Sequence, residues 1–189
     1  MRPDDSRRGH AKFAQIHTAP AHPPPNEPPL RWRNRMNPLD IELFLLLNAS
    51  ASSPAWLLAA ARMASQHLST VALLALLPLA FWGRRARWQV CGVLLAMALA
   101  WLAARGMRET IPSVRPFVMG LGFQGMPHSA SAGFPSMHAT MAAAWAGGLC
   151  WFAAPRRRWA WVAVAVPVAV CIAWSRVYLG LHFPSDMGT

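Results

Sequence analysis

Carboxylates are scarce in this sequence, because its 189 residues include only seven Asp and Glu against 18 Lys and Arg. Charged residues of either sign make up 13% of the chain, whereas hydrophobic residues make up 54%. This composition excludes a disordered polymer, and it leaves too little polar surface to cover an ordinary soluble domain. The three cysteines lie in apolar runs without a CxxC spacing, which argues against disulfides and zinc sites. The abundant apolar residues, with ten tryptophans among them, indicate a membrane protein.

The positive charge, formally +11, comes almost entirely from arginine, and Lys12 is the only lysine. A nucleic-acid-binding protein would spread such residues over one folded face. Here they form short clusters between apolar runs. The sequence therefore predicts no nucleic-acid partner.

The first 36 residues differ from the rest, because they are rich in proline and arginine and poor in large aliphatic residues. We expect a disordered basic tail, or a start assigned too early if Met36 is the true initiator. The functional alternative is a contact with anionic lipid, at roughly 1 kcal/mol for each arginine near the surface. Residues 37–189 form the predicted membrane domain.

Five apolar segments follow, each close to the roughly 20 residues that cross a bilayer as a helix. They cover residues 41–61, 68–82, 90–104, 137–154 and 159–174. The sequence therefore predicts an all-α, polytopic membrane helical bundle of about five spans. The first span is the weakest of the five, because Asn48 and Pro54 interrupt it.

Two arginine clusters orient the predicted spans, because short arginine-rich loops stay on the cytoplasmic side. The clusters are Arg84, Arg85 and Arg87 after the second span, and Arg156, Arg157 and Arg158 after the fourth. The long loop after the third span and the segment after the fifth must then both face outward. These two outward segments carry the unusual polar residues of the chain.

Arginine at the end of a span is costly unless it reaches the interface or finds a partner. Three arginines, two histidines and one aspartate lie in the two outward segments: Arg108, Arg115, Arg176, His138, His182 and Asp186. Their convergence on one membrane face predicts a site for an oxyanion. For any single arginine, interfacial anchoring remains the alternative.

Pro135 and Ser136 precede an apolar run, which predicts a helix start with Ser136 as its N-cap. The free N–H groups at such a helix end bind phosphate, and His138 would lie beside the bound anion. A second helix start is predicted at Pro184, which places Asp186 in its first turn.

Asp186 follows His182 by four residues, so its carboxylate can accept the imidazole N–H. The other ring nitrogen is then left free to attack. This spacing predicts an activated histidine nucleophile.

These blocks resemble the signature of the membrane-bound type 2 phosphatidate phosphatase superfamily, which shares its site with bacterial acid phosphatases and vanadium haloperoxidases. The family pattern is Lys-x6-Arg-Pro, then Pro-Ser-Gly-His, then Ser-Arg-x5-His-x3-Asp. The third block is present in full, at Ser175, Arg176, His182 and Asp186. The resemblance runs from about Leu39 onward, and residues 43–49, 115–118 and 174–180 look most like the bacterial undecaprenyl-diphosphatase branch.

The resemblance implies a role for each residue. His182 would attack phosphorus to form a phosphohistidine with Asp186 orienting it, and His138 would protonate the leaving oxygen and later deprotonate water. The phosphoryl oxygens would be held by Arg108, Arg115, Arg176, Ser136 and the Met137 amide. Neither a metal nor a cofactor is implied, because the arginines supply the positive charge that phosphoryl transfer needs.

The chain departs from the family pattern at three places. Arg108 stands where the family has lysine, and the planar guanidinium is not equivalent to an ammonium. Met137 replaces a small or acidic residue, and its side chain could crowd the phosphate. The sequence ends at Thr189, where the family continues into a sixth span, so we expect an incomplete domain or a degenerate copy.

As a function, the resemblance implies a lipid phosphatase that converts undecaprenyl diphosphate to the monophosphate at the outer face of a bacterial inner membrane. Phosphatidate, phosphatidylglycerophosphate and lipid A phosphate are alternative substrates. An inactive membrane protein that binds a lipid phosphate is the alternative from another class. A transporter is disfavoured, because the ionisable residues cluster at one face and not at the midplane. The oligomeric state stays open.

Two further histidines lie outside these blocks. For His128, in the outer loop, a contact with the substrate headgroup and a solvated loop position both stay open. His67, near the outer end of the second predicted span, is assigned to packing or interface contact.

Overall fold

The computed structural model describes residues 37–111 and 113–188, and the regular structure in these residues is entirely helical. Five helices make up the described chain: α1 (Pro38–Leu47), α2 (Ala55–Ala80), α3 (Arg84–Thr110), α4 (Met137–Phe152) and α5 (Pro155–Tyr178). Two short 3-10 helices follow α3 and α5, at Pro116–Met119 and Pro184–Met187. The all-α prediction is confirmed, whereas the predicted tail, residues 1–36, lies outside the described residues.

Three of the described helices, α2, α3 and α5, are long and apolar enough to cross a membrane, with 26, 27 and 24 residues. Many of their large apolar side chains, including Leu95, Trp101 and Val170, are exposed. A helix that is apolar on all sides is stable only in apolar surroundings, so these surfaces face lipid. Helix α4 has 16 residues, about 24 Å at 1.5 Å per residue, and packs between α3 and α5.

The prediction that residues 41–61 form one membrane span is wrong. Helix α1 ends at Leu47, a loop follows, and α2 begins at Ala55 with Pro54 as its N-cap. The second predicted span, residues 68–82, is the later part of this single helix α2. The helix breaks at Asn48 because that side chain bonds distant backbone groups and the residue takes an extended conformation. The other three predicted spans lie largely in α3, α4 and α5.

Asn48 joins three segments at one end of the bundle. Its Nδ2 donates to the carbonyls of Phe123 and Tyr178, each at 3.0 Å, and its Oδ1 accepts from the Phe123 N–H at 2.6 Å. The end of α1, the long loop and the end of α5 are thereby fixed to one another. The fit is tight, because a Cβ built on Gly180 would lie 2.2 Å from the Phe123 carbonyl oxygen.

We expect Asn48→Ala to lower the free energy of unfolding by about 3 kcal/mol, because it leaves several backbone groups without their partners. The matched control is Ser52→Ala, an exposed position in the same loop. Unfolding in detergent, followed by circular dichroism, measures both. Equal stability of the two variants would contradict the role given to Asn48.

Apolar packing supports both the bundle and the loops at its end. Between the helices, Val93, Leu149 and Ala165 are almost completely buried. At the loop end, Phe44 of α1 packs edge-on against Phe183, with ring centroids 5.2 Å apart. The loops that carry the polar residues are therefore anchored by apolar contacts of their own.

Basic clusters and motif residues lie at opposite ends of the helices. Arg84 and Arg85 begin α3, and Arg108 lies in its last turn. In the same way, Arg156, Arg157 and Arg158 lie in the first turn of α5, whose last turn holds Arg176. Since α3 is about 40 Å long, the two groups of arginines are separated by roughly the thickness of a bilayer.

Candidate active site

The turn after α5 brings His182 back over the end of the helix. Gly180 has φ of 73°, its N–H donates to the Val177 carbonyl at 2.9 Å, and the Leu181 N–H donates to the Arg176 carbonyl at 3.0 Å. This is a Schellman motif, and glycine suits its left-handed position. It places Arg176 and His182, six residues apart in sequence, at the same site.

Asp186 is fixed against His182 by a short helix. As predicted, a helical turn begins at Pro184 and Asp186 lies in its first turn. The carboxylate oxygen Oδ2 lies 3.3 Å from His182 Nδ1 and accepts the Phe183 N–H at 2.9 Å. The Asp186 carbonyl accepts the Ser136 N–H at 2.9 Å, which joins this turn to the start of α4.

Asp40, in the first turn of α1, secures the same turn from outside. Its Oδ1 accepts the Ser185 N–H at 2.9 Å, and its Oδ2 accepts the Ser185 hydroxyl. Ser185 immediately precedes Asp186, so the first turn of α1 restrains the residue that orients the histidine.

The spacing predicted that the second ring nitrogen of His182 would be free, but in the structure it has a partner. Arg115 Nη1 lies 2.9 Å from His182 Nε2. A guanidinium can only donate, so Nε2 accepts, and the ring proton lies on Nδ1, facing Asp186. The contacts on both sides thus select one neutral tautomer of His182, with the lone pair on Nε2.

Arg115 is itself held by backbone carbonyls. Its Nε donates to Ser131 O at 2.8 Å, Nη1 to Leu181 O at 3.1 Å and Nη2 to Ala132 O at 3.2 Å. The side chain is 2% exposed, and burial, with the nearby Arg108 charge, lowers the pKa of Arg115 to about 10. Arg115 therefore remains a cation at neutral pH, oriented by the loop that precedes α4.

His182 is held neutral. Burial lowers the pKa of His182 to about 4, and the charges of Arg115 and Arg176 add to this, while the hydrogen bond that His182 donates to Asp186 opposes it. At pH 7 the imidazole is therefore unprotonated and retains a lone pair. A neutral imidazole is the form that can act as a nucleophile.

Arg176 is the second buried guanidinium of the site, with 2% of its surface exposed. Its Nη1 donates to the Ser65 hydroxyl, and its Nη2 lies 2.8 Å from His128 Nε2. In the described part of the chain its Nε has no hydrogen-bond partner, although it is buried. Ser136 shares this property: its backbone is the N-cap of α4, but its buried Oγ makes no hydrogen bond in those residues.

Unsatisfied buried polar groups cost about 1 to 3 kcal/mol each and are rare in folded proteins. Two of the four such atoms in the described residues, Arg176 Nε and Ser136 Oγ, belong to this site: Arg176 contacts His128, and the Ser136 N–H donates to the Asp186 carbonyl. An incoming anion with several acceptor oxygens would satisfy the Arg176 donor. The arrangement is therefore suited to bind an oxyanion beside a neutral histidine.

Arg108 lies at the rim of this site. Its Nη1 donates to the Pro135 carbonyl at 3.1 Å, and its Nη2 donates to the Ser131 hydroxyl at 3.2 Å. The side chain is half-buried, and it extends from the last turn of α3 to the residues just before α4. Both contacts use the planar fork of arginine, which a lysine at this position could not reproduce.

A groove adjoins the first turn of α4. It has a volume of about 300 Å³ and is open toward the surface of the bundle. Its lining is mostly apolar: Ser69, Thr70, Leu73, Met97, Met137, His138 and Met141. His138 therefore lies where an apolar groove meets the polar site, and the Met137 side chain lines the groove.

The structure brings together the eight residues that the sequence singled out, and it adds others. The sequence allows either a headgroup contact or a solvated position for His128; in the structure His128 contacts Arg176, and its ring centroid lies 6.5 Å from that of His182. The sequence alone does not single out Ser65 or Asp40 as residues that support the site. None of the three lies in the sequence blocks, and their contacts join residues far apart in sequence, which spacing alone does not reveal.

Three comparisons with known proteins identify the family to which the chain belongs. Residues 89–188 match the model of the PAP2 superfamily, a range that includes Arg108 and Asp186. A protein of Escherichia coli (strain K12) named "Putative undecaprenyl-diphosphatase YbjG" is 38% identical over 151 residues, which are 79% of this chain and 74% of that protein.

Among solved structures, the chain resembles the one described as the first transmembrane PAP2 type phosphatidylglycerolphosphate phosphatase, from Bacillus subtilis. The TM-score is 0.55 at 22% identity, over 79% of this chain and 74% of the other. This likeness shows the fold. Together with the family match and the relative above, it establishes that the chain is a membrane protein of the PAP2 superfamily, a family of lipid phosphatases.

Proposed function

We propose that this protein hydrolyses a lipid diphosphate, undecaprenyl diphosphate, to the monophosphate through a phosphohistidine on His182. The observation that carries the proposal is the state of His182, which is buried and neutral, with its Nδ1–H toward Asp186 and its Nε2 lone pair facing Arg115. The 38% identity to a relative named for that activity supports the substrate. The activity is assigned to residues 37–189.

The first step is an attack of His182 Nε2 on the terminal phosphorus. A nitrogen–phosphorus bond forms, the bond from phosphorus to the bridging oxygen breaks, and undecaprenyl phosphate leaves. The imidazole becomes positively charged, and Asp186 stabilises it through Nδ1–H. For this step Arg115 must move its Nη1 donor from Nε2 to a phosphoryl oxygen, a shift from one acceptor to a better one.

His138 is proposed to donate a proton to the bridging oxygen as the lipid phosphate leaves. It would then take a proton from the water that attacks the phosphohistidine, which releases inorganic phosphate and restores His182. Its place at the start of α4, beside the groove, supports this assignment.

Positive charge for the reaction comes from the arginines. Arg108, Arg115 and Arg176 would bind the phosphoryl oxygens together with Ser136 and the backbone N–H of Met137. Fixed cations and helix N–H groups stabilise the charge that spreads over these oxygens in the transition state. The unpartnered Arg176 Nε is one donor ready for this purpose.

The groove beside His138 is proposed to hold the first part of the lipid chain. The leaving group must lie next to the acid that protonates it, and this groove is apolar and adjoins His138. Its methionine side chains are flexible and suit an isoprenoid chain. The lipid could thus remain in the bilayer while its diphosphate reaches His182.

The proposed location is a bacterial inner membrane, with the site facing outward. Six arginines of α3 and α5 lie at the helix ends away from the site, and such clusters stay in the cytoplasm. Protease accessibility of tags at residues 83 and 130, in spheroplasts, tests the orientation.

A substrate panel tests the proposal. Phosphate release by the purified chain in detergent is measured with undecaprenyl diphosphate, phosphatidylglycerophosphate, phosphatidate and lipid A diphosphate. We expect the highest kcat/KM for undecaprenyl diphosphate. A higher kcat/KM for one of the other lipids would identify that lipid as the substrate in place of undecaprenyl diphosphate. Binding of the lipids without release of phosphate would support the inactive alternative.

Phosphate release is expected to persist in 5 mM EDTA, roughly unchanged within twofold, because arginines supply the charge that a metal provides in other phosphatases. The check is a titration of the rate with EDTA, followed by addition of magnesium or zinc. A rate that falls with EDTA and returns with a metal would contradict this part of the proposal.

A further inference from the structure

Arg176 is a buried cation held only by neutral groups within the described residues. The ion pairs formed there are Arg105 with Glu109 and His182 with Asp186, so no carboxylate is paired with this guanidinium. A guanidinium has five N–H donors, and two of them are used, one on Ser65 and one on His128. The contacts of Ser65 and His128 therefore decide where the remaining donors point.

Ser65 reaches Arg176 from an irregular turn of α2. Residues Ala64–Leu68 form a π-helical turn, and Ser65 within it is 1% exposed. A π turn contains an extra residue and shifts the phase of the side chains that follow by about 100°. Such turns are often found at functional sites, and this one places a hydroxyl against α5.

His128 reaches Arg176 from the opposite side, out of the loop before α4. Because arginine only donates, His128 Nε2 is an acceptor, and its Nδ1 carries the proton, 3.2 Å from the Ser129 carbonyl. Burial lowers the pKa of His128, and the charges of Arg115, Arg176 and Arg108 act in the same direction. The ring is thus kept in the neutral form that can accept from Arg176.

We propose that Ser65 and His128 are positioning residues that clamp the Arg176 guanidinium between α2 and the outer loop. Each takes one Nη hydrogen, so that Nε–H and one hydrogen on each Nη remain for a phosphoryl oxygen. One of these unused donors, Nε–H, is buried and has no hydrogen-bond partner among the described residues. The clamp rests on the proposed role of Arg176 in phosphate binding, and it involves two residues outside the three sequence blocks.

The test is a double-mutant cycle read out as the Kd for inorganic phosphate, measured by calorimetry on the full chain in detergent. Ser65→Ala and His128→Ala should each weaken phosphate binding by about 10-fold, as expected for loss of a hydrogen bond to a charged group. In an Arg176→Ala background, either substitution should change Kd by less than about twofold. His128→Gln, which keeps an acceptor, should restore most of the affinity.

Gln66→Ala is the matched control for Ser65, because it alters an exposed position of the same π-helical turn. It should leave Kd unchanged. The clamp would be overturned if the substitutions weakened phosphate binding as much in the Arg176→Ala background as in the wild type. It would also be overturned if the single variants bound phosphate as tightly as the wild type. If Ser65→Ala does not fold, His128→Ala and His128→Gln decide the question, since His128 lies in a loop and is half-buried.

Phosphate binding is independent of turnover, so this result is separate from the proposed function. A wild-type chain that binds phosphate, with variants that follow the cycle, supports the clamp even if undecaprenyl diphosphate is not the substrate. A wild-type chain that hydrolyses the lipid, with variants that bind phosphate normally, overturns the clamp alone.

Discussion

His182→Ala is expected to reduce phosphate release by a factor on the order of 10⁴ to 10⁶, the range seen when a covalent nucleophile is removed. The reason is that no other described side chain combines burial, neutrality and an orienting carboxylate in the way His182 does. Loss of the nucleophile removes the covalent step itself. Binding of phosphate by the arginines should survive, because they do not need His182 to stay charged.

The measurement is the rate of phosphate release from undecaprenyl diphosphate, with Kd for inorganic phosphate determined on the same preparations. His67→Ala serves as the control, since His67 is an exposed histidine on α2. It should keep the wild-type rate. A His182→Ala variant that retains more than about a hundredth of the rate would show that another group attacks phosphorus.

Arg115→Ala is expected to lower kcat/KM by about 10² to 10⁴, since a positioned cation on the phosphoryl group is worth that much in related reactions. Arg115→Lys should recover only part of the loss. A lysine keeps the charge, but it cannot bind His182 Nε2, Leu181 O and Ser131 O from one planar head.

The two neighbours of His182 should also move the pH profile in opposite directions. Arg115 lowers the pKa of His182 and Asp186 raises it. The free enzyme needs His182 unprotonated, so kcat/KM falls on the acid side as the imidazole gains a proton. Arg115→Ala raises that pKa and shifts the acid limb to higher pH, whereas Asp186→Asn lowers it and shifts the limb to lower pH.

These shifts are measured from kcat/KM between pH 3.5 and 8 in the two variants and the wild type. The sign is the decisive quantity, because a general loss of structure would lower the rate at every pH without separating the two variants. Shifts in the same direction would contradict the assignment of His182 as the group that must be neutral.

The site blocks were predictable from sequence because their chemistry depends on local spacing. Asp186 follows His182 by four positions, which allows one turn to hold the imidazole, and the Schellman turn at Gly180 brings Arg176 to the same place. The start of α4 at Met137 was equally local, since Ser136 precedes an apolar run. Such features are set by neighbours in the chain and by backbone conformation.

Long-range contacts account for what the sequence did not reveal. Asn48 ends α1 because its partners lie near residues 123 and 178, so an apolar run that looked like a single span is divided. Ser65 is one of two serines in α2, and only the π-helical turn and the position of α5 give it a partner. The capped Nε2 of His182 likewise depends on Arg115, 67 residues away.

The most direct test of the account is to trap the phosphorylated protein. The chain is mixed with undecaprenyl diphosphate labelled in its terminal phosphate, quenched in alkali within milliseconds to seconds, and digested for mass spectrometry. The account predicts an acid-labile, alkali-stable phosphate on the peptide that contains His182, absent from His182→Ala. Phosphate release without labelling of His182, or label on another residue, would contradict it.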